Sequence, residues 1–301
     1  MSLKDSLLGL LIISIWGFNF TVIAWGVEDL PPLLMGAGRF LLVASIGSLF
    51  VRKPDIPWKW MAAYALTLCF GQFAFLFSAI AFGMPAGLAS IVLQSQALFT
   101  IVIAVLVLNE KINPVQILAI MIAGIGLTVI GASKSETEMT AIGFAFTLAS
   151  ASSWGLGNVM NKKINQLGYK ANVGLVVWSA WVALIPFIIA SFIFEGSEAI
   201  YESIVNITWP AIGALLYLAG AASIIAYSLW SYLLQHNSAS QVAPLTLGVP
   251  VVGILCASYF LDEKISEGQW WGIALVMVAL LINTFAGRLK NVLALRQAQG
   301  E

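Results

Sequence analysis

The sequence predicts an all-α membrane protein with ten transmembrane helices arranged as two inverted five-helix repeats. Three observations predict this fold: an apolar composition, ten continuous apolar runs, and two short sequence echoes about half a chain apart. Of 301 residues, 60% are hydrophobic, and only 14 basic and 14 acidic residues carry charge; the mean hydropathy is +0.94. Soluble domains carry about 25% charged residues, so the solvent of this chain must be largely lipid.

Each apolar run is long enough to cross about 30 Å of hydrocarbon as a helix. The runs are continuous, whereas strands of a membrane barrel alternate apolar and polar residues, so helices are predicted. Several links are short, and Pro31-Pro32 opens the second span. The ten spans are predicted at 6–26, 31–51, 58–82, 86–108, 113–132, 140–160, 172–194, 208–234, 239–261 and 267–287.

Two echoes divide the chain into two units. LNEKI at 108–112 returns as LDEKI at 261–265, and the Trp-Gly pair at 16–17 returns at 154–155. The two echoes recur at different spacings along the chain, and the difference between these spacings falls in a longer loop around 195–207. Because five is odd, the second unit would cross the membrane inverted, as is typical of secondary transporters; the alternative is chance similarity between apolar segments. The predicted units are a first repeat at 1–137, a second at 138–290 and a cytoplasmic tail at 291–301.

Lysine and arginine predict the orientation, because these residues concentrate in cytoplasmic segments. With the N-terminus inside, the outer loops hold only Lys134 and Lys264. Both termini are therefore expected in the cytoplasm. The inner segments hold the remaining loop cations: Lys4, Arg52, Lys53, Lys59, Lys111, Lys162, Lys163, Lys170, Arg288, Lys290 and Arg296.

Arg39 is the exception, since it lies eight residues into the second span. At about 1.5 Å per residue this places it roughly 12 Å below the outer end of the helix. A charge at such depth costs about 2.5–3.5 kcal/mol and needs a partner. One interpretation is a site for a substrate carboxylate. The other is an arginine that reaches outward to Glu28 or Asp29, or that caps carbonyls of a neighbouring helix.

The other polar groups at membrane depth are neutral. Each costs free energy in lipid unless it is bonded, so each should face other helices or water. Pro244 and Pro250 should also free backbone carbonyls in the ninth span. An amide-and-aromatic lining suits a small polar or zwitterionic solute, although the amides could instead hold helices together. The candidate substrate-binding residues are Trp16, Asn19, Arg39, Gln72, Phe75, Gln94, Gln96, Phe99, Trp154, Asn158, Tyr227, Ser231 and Thr246.

Other classes of protein are disfavoured. No span carries a mid-depth Asp, Glu or His, as a proton-coupled pump or an intramembrane enzyme would need. Polar residues cluster at mid-depth, whereas a channel would need a continuous polar stripe. Cys69 and Cys256 sit in apolar runs as small hydrophobic residues, so no metal site and no cofactor are predicted. The net charge is zero, which gives no reason to expect nucleic-acid binding.

WGFNF at 16–20 and PPLLMGAGRF at 31–40, with longer stretches below, resemble the drug/metabolite transporter superfamily, EamA type, and in particular its cysteine and O-acetylserine exporters. The resemblance implies a monomer of the bacterial inner membrane that exports amino acids and related metabolites through a cavity lined by spans one, three, four, six, eight and nine. It also implies that Arg39 occupies a recurrent position. Exporters of aromatic amino acids share this fold, and a passive metabolite channel is a further alternative. The remaining matching stretches lie at 70–101, 157–163 and 242–253.

Overall fold

The structure is a computed structural model that describes residues 1–134, 137–170 and 172–299, without the side chains of 239–240 and 286–299. Every regular element within these ranges is helical. The helices are α1 (Leu3–Asp29), α2 (Pro32–Phe50), α3 (Trp58–Ala81), α4 (Ala86–Leu108), α5 (Pro114–Ala132), α6 (Ala141–Gln166), α7 (Val173–Phe194), α8 (Ser197–Val205), α9 (Trp209–His236), α10 (Ala239–Val242), α11 (Ala243–Phe260) and α12 (Glu267–Gln299).

Among the described residues, nine helices are long and apolar enough to cross a membrane: α1 to α5, α7, α9, α11 and α12. The predicted sixth span is α6, a helix of 26 residues. Its serines, asparagines and paired lysines make it more polar than the others. The short helix α8 lies in the loop around 195–207, where no helix was predicted.

The structure extends α12 through the predicted tail as far as Gln299. Residues 300–301 lie outside the described range, as do the side chains of Arg288, Lys290 and Arg296, which entered the orientation argument.

Local sequence explains where several helices begin and end. Asn113 caps α5 by accepting from the backbone of Gln116, whose side chain bonds back to the Asn113 N–H; this reciprocal cap satisfies two otherwise unpaired donors. At the other end of α4, Asn109 adopts a left-handed conformation with φ 55°. Asp262 does the same after α11, with φ 53°. Asn and Asp tolerate this conformation better than most residues.

Four helices depart from regular α geometry, three of them near their middle and α11 at its beginning. α3 is π-helical at Ala65–Gly71, and α9 is π-helical at Tyr217–Ile225. α4 contains a 3₁₀ turn at Leu93–Ser95, and α11 begins with one at Ala243–Leu247, where Pro244 lies. Such interruptions are frequent at functional sites because they redirect side chains and free backbone groups.

Helix packing leaves a central group and two flanking pairs. α1 packs on α9 and α11, and α6 packs on α3 and α4. α2 pairs with α7, and α5 pairs with α12. The α5–α12 crossing depends on glycine: a Cβ at Gly126 would lie 2.8 Å from the Gly272 carbonyl oxygen, and one at Gly272 would lie 2.7 Å from that of Gly126. Small residues allow such close approach between membrane helices.

The outer surface of the bundle is apolar. Ile185, Ile189 and Phe192 of α7 are exposed, as are Met121 and Ile125 of α5. Exposed apolar surface on this scale needs a lipid solvent, as the composition indicates.

Candidate functional site

A cavity of about 380 Å³ lies among α1, α2, α3, α4, α6, α7, α9 and α11. We call the membrane face on which α1 begins the near face, and the opposite one the far face. The cavity runs from mid-depth to the near face, where Asn161, Asn172 and Leu234 line it. Eleven candidate residues line it: Trp16, Asn19, Arg39, Gln72, Gln94, Gln96, Trp154, Asn158, Tyr227, Ser231 and Thr246.

The two remaining candidates, Phe75 and Phe99, are not among the residues that line this cavity. The Phe75 ring packs against the ring of Phe146, with centroids 5.9 Å apart. Phe99 packs on α6, where a Cβ at Gly155 would lie 3.0 Å from the Phe99 Cβ. The cavity face of α3 instead continues from Gln72 through Phe73 and Leu76. Residues three apart share a helix side only approximately, and here the cavity wall turns away from Phe75.

Arg39 is the charged residue of the cavity wall, and it is 2% exposed. Its Nε and Nη2 donate to Ser223 Oγ of α9, at 3.2 and 2.9 Å. Its guanidinium Cζ lies 3.9 Å from the centroid of the Phe73 ring, a geometry suited to a cation–π interaction. Two neighbouring helices therefore hold the side chain in place from both sides.

These contacts do not neutralise the charge. The proposed reach toward Glu28 or Asp29 is wrong, since Asp29 instead accepts from Thr208 Oγ1 and Arg39 bonds Ser223. Among the described residues, Arg39 Nη1 is buried without a hydrogen-bond partner. A buried charge without a counter-charge is costly.

A second unpaired polar atom lies in the same wall. Asn19 is 8% exposed, and within the described part of the chain its Oδ1 is buried without a donor. A buried acceptor left unpaired costs about 1–3 kcal/mol. Two residues of the cavity wall therefore carry a buried polar atom with no partner among the described residues: the donor Arg39 Nη1 and the acceptor Asn19 Oδ1.

The other amides join helices while they line the cavity. Gln94 Nε2 donates to the Thr246 carbonyl at 3.1 Å. In a regular helix this carbonyl would accept from the N–H four residues later, but that residue is Pro250, which has no N–H. Asn158 Nδ2 donates to Gln96 Oε1 at 2.8 Å and to Thr100 Oγ1 at 3.1 Å. These amides therefore both line the cavity and connect neighbouring helices, as the two interpretations of the sequence described.

Aromatic rings form the part of the wall made by α1 and α9. The Trp16 ring centroid lies 5.4 Å from those of Tyr227 and Trp230. Trp16 Nε1 donates to the Ala222 carbonyl at 3.1 Å, which lies in the π-helical stretch of α9. Aromatic faces of this kind attract cations and apolar side chains.

Sequence reasoning missed the two residues that hold Arg39. Ser223 is a mid-depth hydroxyl in α9, and the rule that polar groups at depth face other helices could have identified it. No such signal marks Phe73, which is one of several phenylalanines in α3. Its contact with Arg39 depends on the rotation of α3 about its axis.

Comparison with known proteins gives a consistent result. The sequence profile of the EamA-like transporter family matches residues 4–132 and 141–285. A "Probable amino-acid metabolite efflux pump" of Salmonella typhimurium (strain LT2) is 45% identical over 97% of this chain and 98% of its own length. A protein of the same name from Escherichia coli (strain K12) is 44% identical over 96% and 97%.

A solved crystal structure superposes with a TM-score of 0.63 at 18% identity, covering 96% of this chain and 99% of the other, and so shares the fold. The resemblance seen in the sequence is thereby confirmed: the chain is a multi-pass membrane protein and belongs to the EamA-like transporter family.

Proposed function

We propose that this protein exports zwitterionic amino acids and related metabolites, of the cysteine and O-acetylserine type, through the central cavity by alternating access. The observation that carries the proposal is Arg39, a buried guanidinium whose Nη1 has no partner among the described residues. A substrate carboxylate would satisfy it with a charge-assisted hydrogen bond. The names of the two bacterial relatives favour the same class of substrate.

The rest of the wall suits the other end of an amino acid. Asn19 Oδ1 can accept from a substrate ammonium group, and the faces of Trp16 and Tyr227 can attract its charge. Among the described residues that line the cavity, which include Gln72 and Ser231, none supplies a carboxylate. A substrate carrying only positive charge would therefore meet Arg39 with no counter-charge. The same aromatic wall favours a second candidate, export of aromatic amino acids.

The ten-span inverted repeat, with units 1–137 and 138–290, belongs to this proposal. The family profile matches two ranges, one in each unit. Helix pairs recur in equivalent places: α1 with α11 and α6 with α4. A Cβ at Gly17 would meet the Val249 carbonyl of α11 at 2.9 Å, and one at Gly155 would meet the Thr100 N–H nitrogen of α4 at 2.9 Å. The repeated Trp-Gly pair thus packs alike in both units, which supports α6 as a tenth span.

Orientation and location complete the proposal. The excess of Lys and Arg on the near face favours a cytoplasmic location for that face, so both termini would lie on the cytoplasmic side of a bacterial inner membrane. The cavity then opens to the cytoplasm, where an exporter loads its substrate. A monomer as the working unit completes the proposal.

Transport by purified protein in proteoliposomes tests the proposal. We expect uptake of labelled cysteine and O-acetylserine that is saturable and is accelerated by unlabelled substrate on the opposite side, with tryptophan as the test of the second candidate. Arg39→Gln is the matched variant, since it keeps a polar side chain and removes the charge. Uptake that neither saturates nor shows this acceleration would indicate a passive channel. Uptake that is unchanged in the variant would contradict the role of Arg39.

A further inference from the structure

The repeated segments LNEKI and LDEKI have the same backbone geometry. Each places a left-handed residue, Asn109 or Asp262, directly before a glutamate. The Glu110 N–H donates to the Ala104 carbonyl at 3.4 Å, and the Glu263 N–H donates to the Ala257 carbonyl at 3.3 Å. Both glutamates therefore leave the end of their helix in an equivalent way, Glu110 at the near face and Glu263 at the far face.

Their side chains bind different partners. Glu263 Oε1 accepts from the Ala86 N–H at 2.5 Å, and its Oε2 accepts from the Gly87 N–H at 2.8 Å. These are the first amides of α4, which lack partners within the helix, and the positive end of the helix dipole favours a carboxylate there.

Glu110 instead pairs with Lys162 of α6, whose Nζ lies 2.6 Å from Oε1 and 2.8 Å from Oε2. This ion pair is exposed, with side-chain exposures of 52% for Lys162 and 35% for Glu110. The 153-residue offset between the echoes places the counterparts of Ala86 and Gly87 at 239 and 240, the first residues of α10. The equivalent partner for Glu110 is thus the beginning of the ninth span.

The state of the cavity matches this difference. It is open toward the near face, where Glu110 is held on Lys162, and its lining ends on the far side at Ser90 and Leu76. At that far end α4 and α11 are in contact, with Ser90 Oγ 3.4 Å from the Pro250 carbonyl oxygen. The far entrance is therefore closed where Glu263 bonds the start of α4.

Building on the proposed alternating access, we propose that Glu263 and Glu110 are paired latches that close opposite entrances in turn. Glu263 closes the far entrance by binding the first amides of α4. When the far entrance opens, Glu263 enters water, and Glu110 leaves Lys162 and closes the near entrance by binding the first amides of α10. The residue equivalent to Lys162 in the first unit is Ala24, so Glu263 has no equivalent lysine partner. The ion pair between Glu110 and Lys162 therefore stabilises only the state that is open to the near face.

Cysteine accessibility from each face tests the latches. Ser90→Cys reports on the far half of the cavity and Val176→Cys on the near half, each in the full chain with Cys69 and Cys256 replaced by alanine. A membrane-impermeant thiol reagent is applied to one face at a time, with and without O-acetylserine, which carries no thiol, on the near side. In the parent protein the far reporter should react slowly and the near reporter quickly.

The glutamate variants should act in opposite directions. Glu263→Ala removes two hydrogen bonds to a charged group, so we expect the far reporter to react about tenfold faster and the near reporter more slowly. Glu110→Ala removes an exposed ion pair from the state open to the near face and stronger bonds to a helix terminus from the state open to the far face. The state open to the far face should lose more, so the far reporter should react more slowly. Lys162→Met should accelerate it by about two- to fivefold. Asp262→Asn is the matched control: it keeps the left-handed residue, removes an adjacent charge and should change neither rate.

The outcomes separate the latches from the proposed function. If O-acetylserine shifts the two reporter rates but the Glu263 and Glu110 variants do not shift them oppositely, the latches are wrong and alternating access stands. If both reporters react faster in the Glu263→Ala and Glu263→Gln variants, the packing has loosened and the latches are again contradicted. If the far reporter is never reached in any variant, even with substrate, alternating access itself fails.

Discussion

Replacing Arg39 by glutamine should remove recognition of the substrate carboxylate without weakening the fold. The guanidinium is buried between Ser223 and Phe73, and its Nη1 has no partner among the described residues. Without substrate, the protein carries the cost of an unpaired buried charge. Glutamine removes that cost, because a neutral amide is far cheaper to bury.

The magnitude follows from the geometry. Nε and Nη2 already donate to Ser223 Oγ, so Nη1 remains for the substrate as one charge-assisted hydrogen bond. Such a bond contributes about 1.5–3 kcal/mol. At about 1.4 kcal/mol per factor of ten, this corresponds to a loss of affinity of roughly tenfold to 150-fold. Ser223→Ala removes the hydrogen bonds that position the Arg39 guanidinium but keeps its charge. We expect this variant to lose about 0.5–1.5 kcal/mol of substrate-binding free energy.

The assay compares two ligands in two proteins. The affinities of cysteine and of its carboxamide are measured by displacement of labelled substrate from purified parent protein and from the Arg39→Gln variant. The parent should prefer the carboxylate by about tenfold or more, whereas the variant should bind the two ligands almost equally. This double comparison isolates the Arg39–carboxylate term from general effects of the substitution.

The melting temperature of the substrate-free protein tests whether Arg39 instead has a structural role. We expect it to stay level or to rise in Arg39→Gln, because the variant no longer buries an unpaired charge. A variant that keeps the carboxylate preference and melts several degrees lower would refute the reasoning. Arg39 would then be a structural residue that holds α2 against α9.

Three further results are expected. Single cysteines replacing Lys111 and Lys264 should react with an impermeant thiol reagent from opposite faces of the membrane, and reaction from one face would contradict the inverted repeat. Gly126→Ala forces α5 and α12 apart and should cost about 1–3 kcal/mol by thermal unfolding, whereas Gly124→Ala, where a Cβ would meet nothing within 4 Å, should be nearly neutral. Burial raises the pKa of the Glu263 carboxyl above its ordinary value, although the α4 amides oppose the rise. The docked state of Glu263 therefore binds a proton more tightly than the undocked state, so the far entrance should become less closed as pH rises through the raised pKa; Glu263→Gln should abolish this dependence of far-side labelling.

The path of the chain through lipid was predictable because transfer between water and lipid is a local property of composition. Continuous apolar runs predicted each long helix to within a few residues at most ends, as for Trp58–Ala81 and Ala86–Leu108. α6 showed the limit of this reasoning: its polar side chains line the cavity and pack on α3 and α4, so hydropathy marks it weakly. The chain also showed by itself which polar groups lie at membrane depth, since each is conspicuous against an apolar background.

Tertiary packing decided which of those groups meet. Gln72 and Phe75 are three residues apart, yet one lines the cavity and the other packs on Phe146, because the rotation of α3 depends on neighbours distant in sequence. The same holds for Arg39, whose partners come from α3 and α9. The two near-identical segments at Glu110 and Glu263 show the point most clearly. Sequence determined their common backbone, but only the arrangement of the helices placed one carboxylate on a lysine and the other on a helix terminus, since a hydrogen bond forms only where folding brings a donor within reach.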